Sequence, residues 1–259
     1  MQSIQLSLGR VTRLTLIREK IHNAFNSEMI KEIHSAFDEI SSDTRARVVV
    51  LQATGKSFSA GADLNWMKQM IDYSEHENIS DSECLFEMLK AIRYCPIPTI
   101  SRVQGSALGG GCGLVAATDM SFGLKSAKFG FTEVKLGLVP AVISPFVKEK
   151  IGLKNCKRFF LTGERFNAQT ALEIGLLNQV VESEAELDQI INRNCEEIVN
   201  SSPDAIKRCK QLIDGITHQS IEGSRNFVCK HIAQARVSSQ GQDGLTGFLN
   251  KQPVDWSKC

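Results

Sequence analysis

The chain has 259 residues, and its 30 Lys and Arg nearly balance its 29 Asp and Glu, so the formal net charge is +1. A chain of this length buries roughly 70–75% of the surface of its extended form, so it needs no metal or disulfide staple. The balanced charge argues against a nucleic acid or an anionic membrane as a partner. No stretch approaches the ~20 apolar residues that cross a bilayer.

The eight cysteines form no C-x-x-C pair and no cluster with histidine, so no metal site is expected. No cofactor is expected either. Most of them lie in apolar helical contexts, where a small buried thiol is the default interpretation. The amino terminus opens directly into an alternating pattern, without the basic and apolar segments of a secretory signal. These features indicate reduced thiols and a cytoplasmic protein.

Strands and helices alternate through the amino-terminal half. A hairpin is predicted around Gly9-Arg10, and Asn26 or Ser27 is expected to cap a helix with one apolar face. The apolar run 48–51 is typical of a strand covered on both faces. Residues 64–80 are polar and favour a mobile loop or a short helix. A capping box at 80–83 predicts the start of the next helix, and residues 97–103 form the following strand.

Two short strands are predicted near 120–124 and 128–131, and helices dominate from Ser144 onward. Helix starts are indicated at Ser144-Pro145, at Asn167, at a second capping box at 183–186, and at Ser202-Pro203. A polar stretch rich in Gln and Gly (235–244) precedes the tail. We therefore expect a βα-rich core over residues 1–200 and a helical carboxy-terminal region over 201–259.

Two turns of small residues carry the functional signal. Ser-Ala-Gly-Ala-Asp-Leu at 59–64 and Ala-Leu-Gly-Gly-Gly-Cys-Gly-Leu at 107–114 each stand where a strand gives way to a helix. Small residues leave backbone N–H groups uncovered and let a ligand approach the main chain. Two such turns that converge would form an oxyanion hole, which stabilises charge on a carbonyl oxygen. This pattern indicates chemistry on a thioester or a similar acyl group.

Two rival interpretations of the glycine-rich run fail. A P-loop requires Lys and then Ser or Thr after the last glycine, but Gly111 and Cys112 occupy those positions. The dinucleotide-binding fingerprint requires a third glycine where Leu114 stands. A tight turn that serves only helix–sheet packing remains open on these residues alone.

Taken in order, the motifs resemble the enoyl-CoA hydratase/isomerase (crotonase) superfamily over essentially the whole chain. They are Ala-Gly-Ala-Asp-Leu at 60–64, Gly-x-Ala-Leu-Gly-Gly-Gly at 105–111, Asp119, Phe-Gly-Phe-x-Glu at 129–133 and Gly-Leu-x-Pro at 137–140. The resemblance implies an α/β fold, a spiral of ββα units with a helical carboxy-terminal trimerisation region, assembled as a homotrimer or homohexamer. It also implies an acyl-CoA substrate, with coenzyme A as part of that substrate.

The resemblance assigns roles to individual residues. The backbone N–H groups of Ala62 and Gly110 would form the oxyanion hole, and Glu133 would act as the acid/base. Positions expected to contact the substrate or its CoA part are Arg18, Lys20, Ala60, Asp63, Leu64, Gly109, Gly113 and Lys251. Asp63 also has the spacing of a helix cap, and each basic residue could equally be a solvated charge.

One departure from the family pattern bears on the reaction. Common hydratases carry a second glutamate directly after the glycine–cysteine run, where this chain has Gly113. A single carboxylate can still move one proton, which is all that a double-bond isomerase needs. The stretch 138–145 resembles bacterial methylglutaconyl-CoA and isohexenylglutaconyl-CoA hydratases, which also have glycine at this position. An acidic acyl chain would suffer repulsion from a second glutamate.

Three functions remain open at this stage. The first is a hydratase for 3-methylglutaconyl-CoA or a related branched, acidic enoyl-CoA in leucine or isoprenoid breakdown. The second is an enoyl-CoA isomerase that uses Glu133 alone. The third is a non-catalytic CoA- or RNA-binding protein, against which the near-neutral charge and the lack of an RNA motif argue.

Overall fold

The structure is a computed structural model that describes residues 1–259. It contains ten strands, ten α-helices and three short 3₁₀ helices. The strands are β1 (Ile4–Ser7), β2 (Val11–Leu16), β3 (Val48–Ala53), β4 (Ser57–Ser59), β5 (Thr99–Val103), β6 (Ser106–Leu108), β7 (Met120–Leu124), β8 (Lys128–Gly130), β9 (Arg165–Asn167) and β10 (Gln179–Val181). The helices are α1 (Ser27–Ser42), α2 (Leu64–Met70), α3 (Glu75–Arg93), α4 (Gly110–Ala117), α5 (Ser144–Thr162), α6 (Ala168–Glu173), α7 (Glu184–Val199), α8 (Pro203–Ile216), α9 (Ile221–Val237) and α10 (Ser239–Leu249). The 3₁₀ helices are Glu19–Ile21, Glu133–Leu136 and Trp256–Lys258.

The strands form two sheets in a repeating pattern. One sheet has the order β1-β2-β3-β5-β7-β10, and the other has the order β4-β6-β8-β9. The pairs β3/β4, β5/β6 and β7/β8 each give their first strand to the larger sheet and their second to the smaller sheet, and one or two helices follow each pair. Neighbouring strands from successive pairs are parallel. This repetition is the spiral of ββα units that the family resemblance implied.

Strand β3 shows why the apolar run at 48–51 becomes a central strand. Val49 and Leu51 pack into the larger hydrophobic core, and Val48 and Val50 pack into a second core on the other face. Successive side chains of a strand point to opposite faces, so a strand covered on both faces must be apolar at every position. All four side chains are fully buried.

Most predicted helix starts agree with the observed caps. The side chains of Asn26, Asn167, Ser183 and Ser202 each accept a hydrogen bond from a backbone N–H in the first turn of the following helix. Such caps typically contribute about 1 kcal/mol each, because they satisfy donors that the helix itself leaves unpaired. At α5 the helix includes Ser144, and Ile143 stands at the cap position without a side-chain bond.

One predicted helix boundary was wrong, and one polar stretch without a predicted structure is helical. Helix α3 begins at Glu75 rather than near residue 80, because Ser74 and Glu77 form the reciprocal capping box and leave 80–83 inside the helix. The polar stretch 235–244 is largely helical, with a break at Ser238, whose side chain caps α10 through the N–H of Gly241. Local polarity could not reveal this, since several glycines in a helix are tolerated when tertiary packing holds them.

The carboxy-terminal helices lie against the core without entering it. Helices α8, α9 and α10 pack on one another, and none of their residues is fully buried. The tail is tied to the start of β3, where the Arg47 guanidinium donates to the carbonyl oxygens of Trp256, Cys259 and Ser201. The division of the chain at residue 200 stays a prediction. No helix in the structure is both long enough and apolar enough to span a bilayer.

Candidate active site

Three loops meet at one end of the smaller sheet. Strands β4, β6 and β8 are parallel neighbours, and their carboxyl ends lead to Ala62, Gly110 and Glu133 respectively. Because the carboxyl ends of parallel strands lie at the same edge, residues separated by some 70 positions along the chain become neighbours. Ligands of open α/β sheets bind in the crevice at this edge.

The backbone N–H of Ala62 is left free by its neighbours. Phe25 forms an isolated parallel bridge with this turn: its N–H donates to the Gly61 carbonyl, and its carbonyl accepts from the Asp63 N–H. In an extended segment alternate residues bond to the same side, so the polar groups of Ala62 point away from Phe25. The Ala62 N–H has no hydrogen-bond partner within the protein, and the residue is exposed to the cavity described below.

The second free donor is the N–H of Gly110, the first residue of α4. First-turn N–H groups have no partner within their own helix, and they carry the positive end of its dipole. A Cβ atom at Gly61 would lie 3.7 Å from the Gly110 nitrogen, so the two turns are in contact. Gly109 has a φ of 50°, which favours glycine. A Cβ at Gly110 would lie 2.6 Å from the Phe25 ring, so that position also requires glycine.

Glu133 lies beside these donors. A Cβ atom at Gly109 would lie 3.0 Å from Glu133 Oε1, and the other carboxyl oxygen, Oε2, is buried without a hydrogen-bond partner. Burial raises the pKa of Glu133 above its usual 4.5, although a backbone hydrogen bond opposes the rise. A half-buried carboxylate whose buried oxygen has no partner is costly to maintain in its charged form and well suited to accept a proton.

Packing of aromatic residues fixes the loop that carries Glu133. Phe131 is fully buried and contacts Phe160 and Phe166 with ring centroids 5.1 and 5.9 Å apart. The Gly109 N–H donates to the Gly130 carbonyl, which joins this loop to the glycine-rich turn. The residues directly before the acid/base candidate are therefore held by the core and by the glycine-rich turn.

Ile143 fills the space beside Gly113. A Cβ atom at Gly113 would lie 2.5 Å from Ile143 Cγ2 and 3.6 Å from Leu89 Cδ1, and both Gly113 and Ile143 are buried. An apolar side chain from the segment before α5 thus stands against the position where common hydratases carry their second glutamate.

A cavity of about 430 Å³ opens beside the three loops. Most of its lining is apolar, and the exposed side chains of Leu64, Leu136, Leu138 and Val139 stand among the lining residues. The volume and the apolar walls are typical of a site for a small organic ligand. An acyl group could enter it with its thioester carbonyl against the Ala62 and Gly110 N–H groups.

Two further polar residues line this cavity on the side of α2 and α3. Burial raises the pKa of Asp81, with the Trp66 indole and Lys31 opposing the rise. Trp66 is buried, and its indole nitrogen faces Asp81 without reaching the geometry of a formed hydrogen bond. This corner of the cavity is the only polar part of the wall formed by α2 and α3, apart from Ser82.

The remaining predicted site residues divide into two groups. Ala60, Leu64 and Gly109 line the cavity, whereas Arg18, Lys20, Asp63, Gly113 and Lys251 do not. Asp63 caps α2 through the Asn65 N–H and pairs with Arg18 at 3.0 Å. Lys20 and Lys251 are exposed and have no side-chain partner. Lys251 belongs to the carboxy-terminal tail, which is held at the start of β3. It does not belong to the three loops that form the site.

Sequence patterns gave no role to Ile143, Asp81 or Arg165, all of which line the cavity. Asp81 was interpreted as part of a helix cap, and Arg165 follows a helix end without any motif of its own. Cys112 lies under the glycine-rich turn, where burial raises its pKa to about 12, so it is an inert packing residue. No group of three or more His, Cys, Asp or Glu side chains is arranged to hold a metal ion.

Comparisons with known proteins agree with this geometry. The family profile of the enoyl-CoA hydratase/isomerases matches residues 8–258. The chain is 31% identical to a short-chain-enoyl-CoA hydratase of Clostridium acetobutylicum, over 96% of this chain and 95% of that protein. A Legionella pneumophila structure described as an enoyl-CoA hydratase/isomerase (crotonase) is 41% identical, covers 98% of both chains and superposes with a TM-score of 0.93. An enoyl-CoA hydratase structure from Shewanella pealeana is 34% identical, with a TM-score of 0.94 over 98% of this chain and 96% of that one.

Proposed function

Because the chain belongs to the enoyl-CoA hydratase/isomerase family, we propose that it adds water to a branched, acidic enoyl-CoA thioester of the 3-methylglutaconyl-CoA type. The observation that carries the hydration step is the contact between Gly109 and the Glu133 carboxyl, which places a half-buried acid/base beside two free N–H donors. The acyl specificity is supported by the apolar packing at Gly113, which keeps a second glutamate out of the site.

The Ala62 and Gly110 N–H groups bind the thioester carbonyl oxygen. Charge develops on this oxygen when a nucleophile adds to the β-carbon, and donors that already point at it need no reorganisation. The α4 dipole adds to the same field. Each such donor is typically worth about 3 kcal/mol in the transition state.

Glu133 performs both proton transfers. Its ionised carboxylate removes a proton from water as the water oxygen bonds to the β-carbon, and electrons shift onto the thioester oxygen. The carboxylic acid so formed returns the proton to the α-carbon, which restores the carbonyl and the carboxylate. One group suffices because it is neutralised in the first step and regenerated in the second.

The test is the absorbance of the conjugated thioester. Purified protein with 3-methylglutaconyl-CoA should cause an enzyme-dependent loss of that absorbance, and mass spectrometry should find the hydrated thioester. Crotonyl-CoA serves as the neutral comparison substrate. No loss with either compound, from protein shown to be folded by circular dichroism, would refute the hydratase; a loss with crotonyl-CoA alone would refute the acidic specificity.

Isomerisation is the second candidate, and the Gly113–Ile143 contact favours it. With one carboxylate at the three loops and Ile143 packed against Gly113, Glu133 could move a proton between two carbons of a 3-enoyl-CoA without activating water. The conjugated product absorbs, so isomerase activity would give a gain of absorbance from a 3-enoyl-CoA where hydration of that product does not follow.

We also propose that the protein acts as a homotrimer or homohexamer. Helices α8–α10 expose large apolar side chains, among them Ile221, Phe248 and Leu249, which are 92%, 79% and 76% exposed. Large contiguous apolar surfaces are rare on monomers, so exposed side chains of this kind support an interface between subunits. Light scattering coupled to gel filtration should give a multiple of the 28.6 kDa chain, and a monomeric mass would refute the assembly.

A further inference from the structure

Arg165 is the only cation among the residues that line the cavity. It forms no ion pair and no side-chain hydrogen bond, because the adjacent carboxylate, Glu164, is held by Arg158 at 2.7 Å. The other charged groups in the lining are the carboxylates of Asp81 and Glu133, and neither pairs with Arg165. A guanidinium at the wall of a largely apolar cavity is therefore available to a ligand.

The fold places the Arg165 side-chain stem against Gly130, just before the loop that carries Glu133. In the antiparallel pair of β8 and β9, Arg165 stands opposite Gly130. A Cβ atom at Gly130 would lie 3.2 Å from Arg165 Cγ, so the stem occupies the space that a side chain would take. Gly130 is also bonded to Gly109 and precedes Glu133 by three residues. Arg165 thus approaches the cavity from the same side as the acid/base.

We propose that Arg165 binds the distal carboxylate of the acyl group and so selects acidic enoyl-CoA substrates; this inference rests on the proposed function. A guanidinium presents a planar pair of donors that matches a carboxylate, and it stays charged at any relevant pH. The acyl chain of a glutaconyl thioester is short, so its far carboxylate stays near Glu133 when the carbonyl is bound at Ala62 and Gly110. A carboxylate buried at this position needs a cationic partner, and Arg165 is the only cation in the cavity lining.

A phosphate of coenzyme A is the other anion that Arg165 could meet. Arg165 also lines an outer groove with Lys128 and Arg158, outside the cavity. The two anions are separable, because every acyl-CoA carries the phosphates and only acidic ones carry the distal carboxylate. Two saturated thioesters of the same chain length, glutaryl-CoA and pentanoyl-CoA, therefore distinguish them.

The experiment is calorimetric binding of both thioesters to the full-length protein, to Arg165→Met and Arg165→Lys, and to Lys128→Met as the groove control. Arg165→Met should weaken glutaryl-CoA binding by about tenfold to a hundredfold, the usual effect of losing hydrogen bonds to a charged partner. Pentanoyl-CoA should bind within about twofold of wild type, since it has no group for Arg165 to hold. Arg165→Lys should fall between, because it keeps the charge and loses the paired donors.

An equal loss of affinity for both thioesters in Arg165→Met would place Arg165 on a CoA phosphate and overturn the proposal. The same equal loss in Lys128→Met would support that phosphate site. Unchanged binding of glutaryl-CoA to Arg165→Met would overturn it as well. Saturated thioesters cannot be hydrated, so this result is independent of turnover. Selective loss of glutaryl-CoA binding in a protein that fails to hydrate 3-methylglutaconyl-CoA would uphold the role of Arg165 and refute the hydratase.

Discussion

Ile143 Cγ2 lies 2.5 Å from the position that a Cβ atom at Gly113 would occupy. The contact makes the two residues mutually dependent: glycine at 113 leaves room for isoleucine at 143, and isoleucine leaves none for a larger residue at 113. Interiors are packed closely enough that even one added methyl group must displace a neighbour.

A double-mutant cycle tests this dependence. Gly113→Ala should destabilise the protein by about 1–3 kcal/mol through overpacking, and Ile143→Ala by about 2–5 kcal/mol through the cavity it leaves. The double variant should lose clearly less than the sum, because each change relieves the other. Chemical denaturation gives the three free energies of unfolding. Simple additivity would show that the two side chains do not share one space.

Glu133→Gln should abolish most of the activity. Removing a general acid/base typically costs about 10²–10⁴-fold in rate, while the amide keeps the size of the side chain. Glu173→Gln, at an exposed position on α6, is the matched control and should retain full activity. Steady-state kinetics with the preferred enoyl-CoA give the comparison, and near-wild-type turnover by Glu133→Gln would exclude Glu133 from the chemistry.

The pKa of Glu133 predicts two opposite pH effects. In the proposed mechanism its ionised form is the base, so kcat/KM should fall as pH drops through a pKa above 4.5. Since the folded-state pKa is raised, ionisation costs stability, and that cost appears as pH rises from 4.5 through the folded pKa. Glu133→Gln should therefore have a higher melting temperature than wild type at neutral pH. Below pH 4.5, where Glu133 is protonated in both states, the two melting temperatures should be alike. A variant that melts lower at neutral pH would contradict the burial of this carboxylate.

Gly110→Ala should impair catalysis more than folding. The added methyl would lie 2.6 Å from the Phe25 ring and push the turn, with its N–H, away from the carbonyl oxygen. Loss of one oxyanion donor costs about 10²–10³-fold in kcat. Gly9→Ala is the control, because its nearest neighbour would be 3.9 Å away. Equal kcat values for the two variants would mean that the Gly110 N–H is not used.

Arg18 and Lys20 should respond differently to replacement by methionine. Arg18 pairs with Asp63, the cap of α2, so Arg18→Met should lower the melting temperature by leaving that buried carboxylate unpaired. Lys20 is exposed and unpaired; if it contacts CoA, Lys20→Met should raise KM and leave kcat unchanged. A KM unaffected by Lys20→Met would make this lysine a solvated charge. Lys251→Met allows the same test at the tail.

Elements with strong local signals were predictable, and those decided by distant contacts were not. The apolar run of β3 and the caps at Asn26, Asn167 and Ser202 were visible because burial on two faces and helix capping leave local patterns. The start of α3 was misplaced because two Ser-x-x-Glu motifs compete there, and only packing selects the one at Ser74.

The site shows the same division. The small residues predicted uncovered N–H groups at both turns, since glycine and alanine leave the backbone open. The family resemblance then pointed to Ala62 and Gly110. Nothing local could show that Phe25 orients the Ala62 turn, that Ile143 lies against Gly113, or that Arg165 reaches the cavity. Each of these depends on residues brought together by the spiral across long stretches of chain.

The most direct test of the central claim is incorporation of isotopically labelled water by the wild-type protein and by Glu133→Gln. With an enoyl-CoA substrate in labelled water, wild type should form a 3-hydroxyacyl-CoA that carries the label on its new hydroxyl oxygen, and Glu133→Gln should form almost none. An unlabelled product of unchanged mass with a shifted double bond would contradict hydration and leave the isomerase.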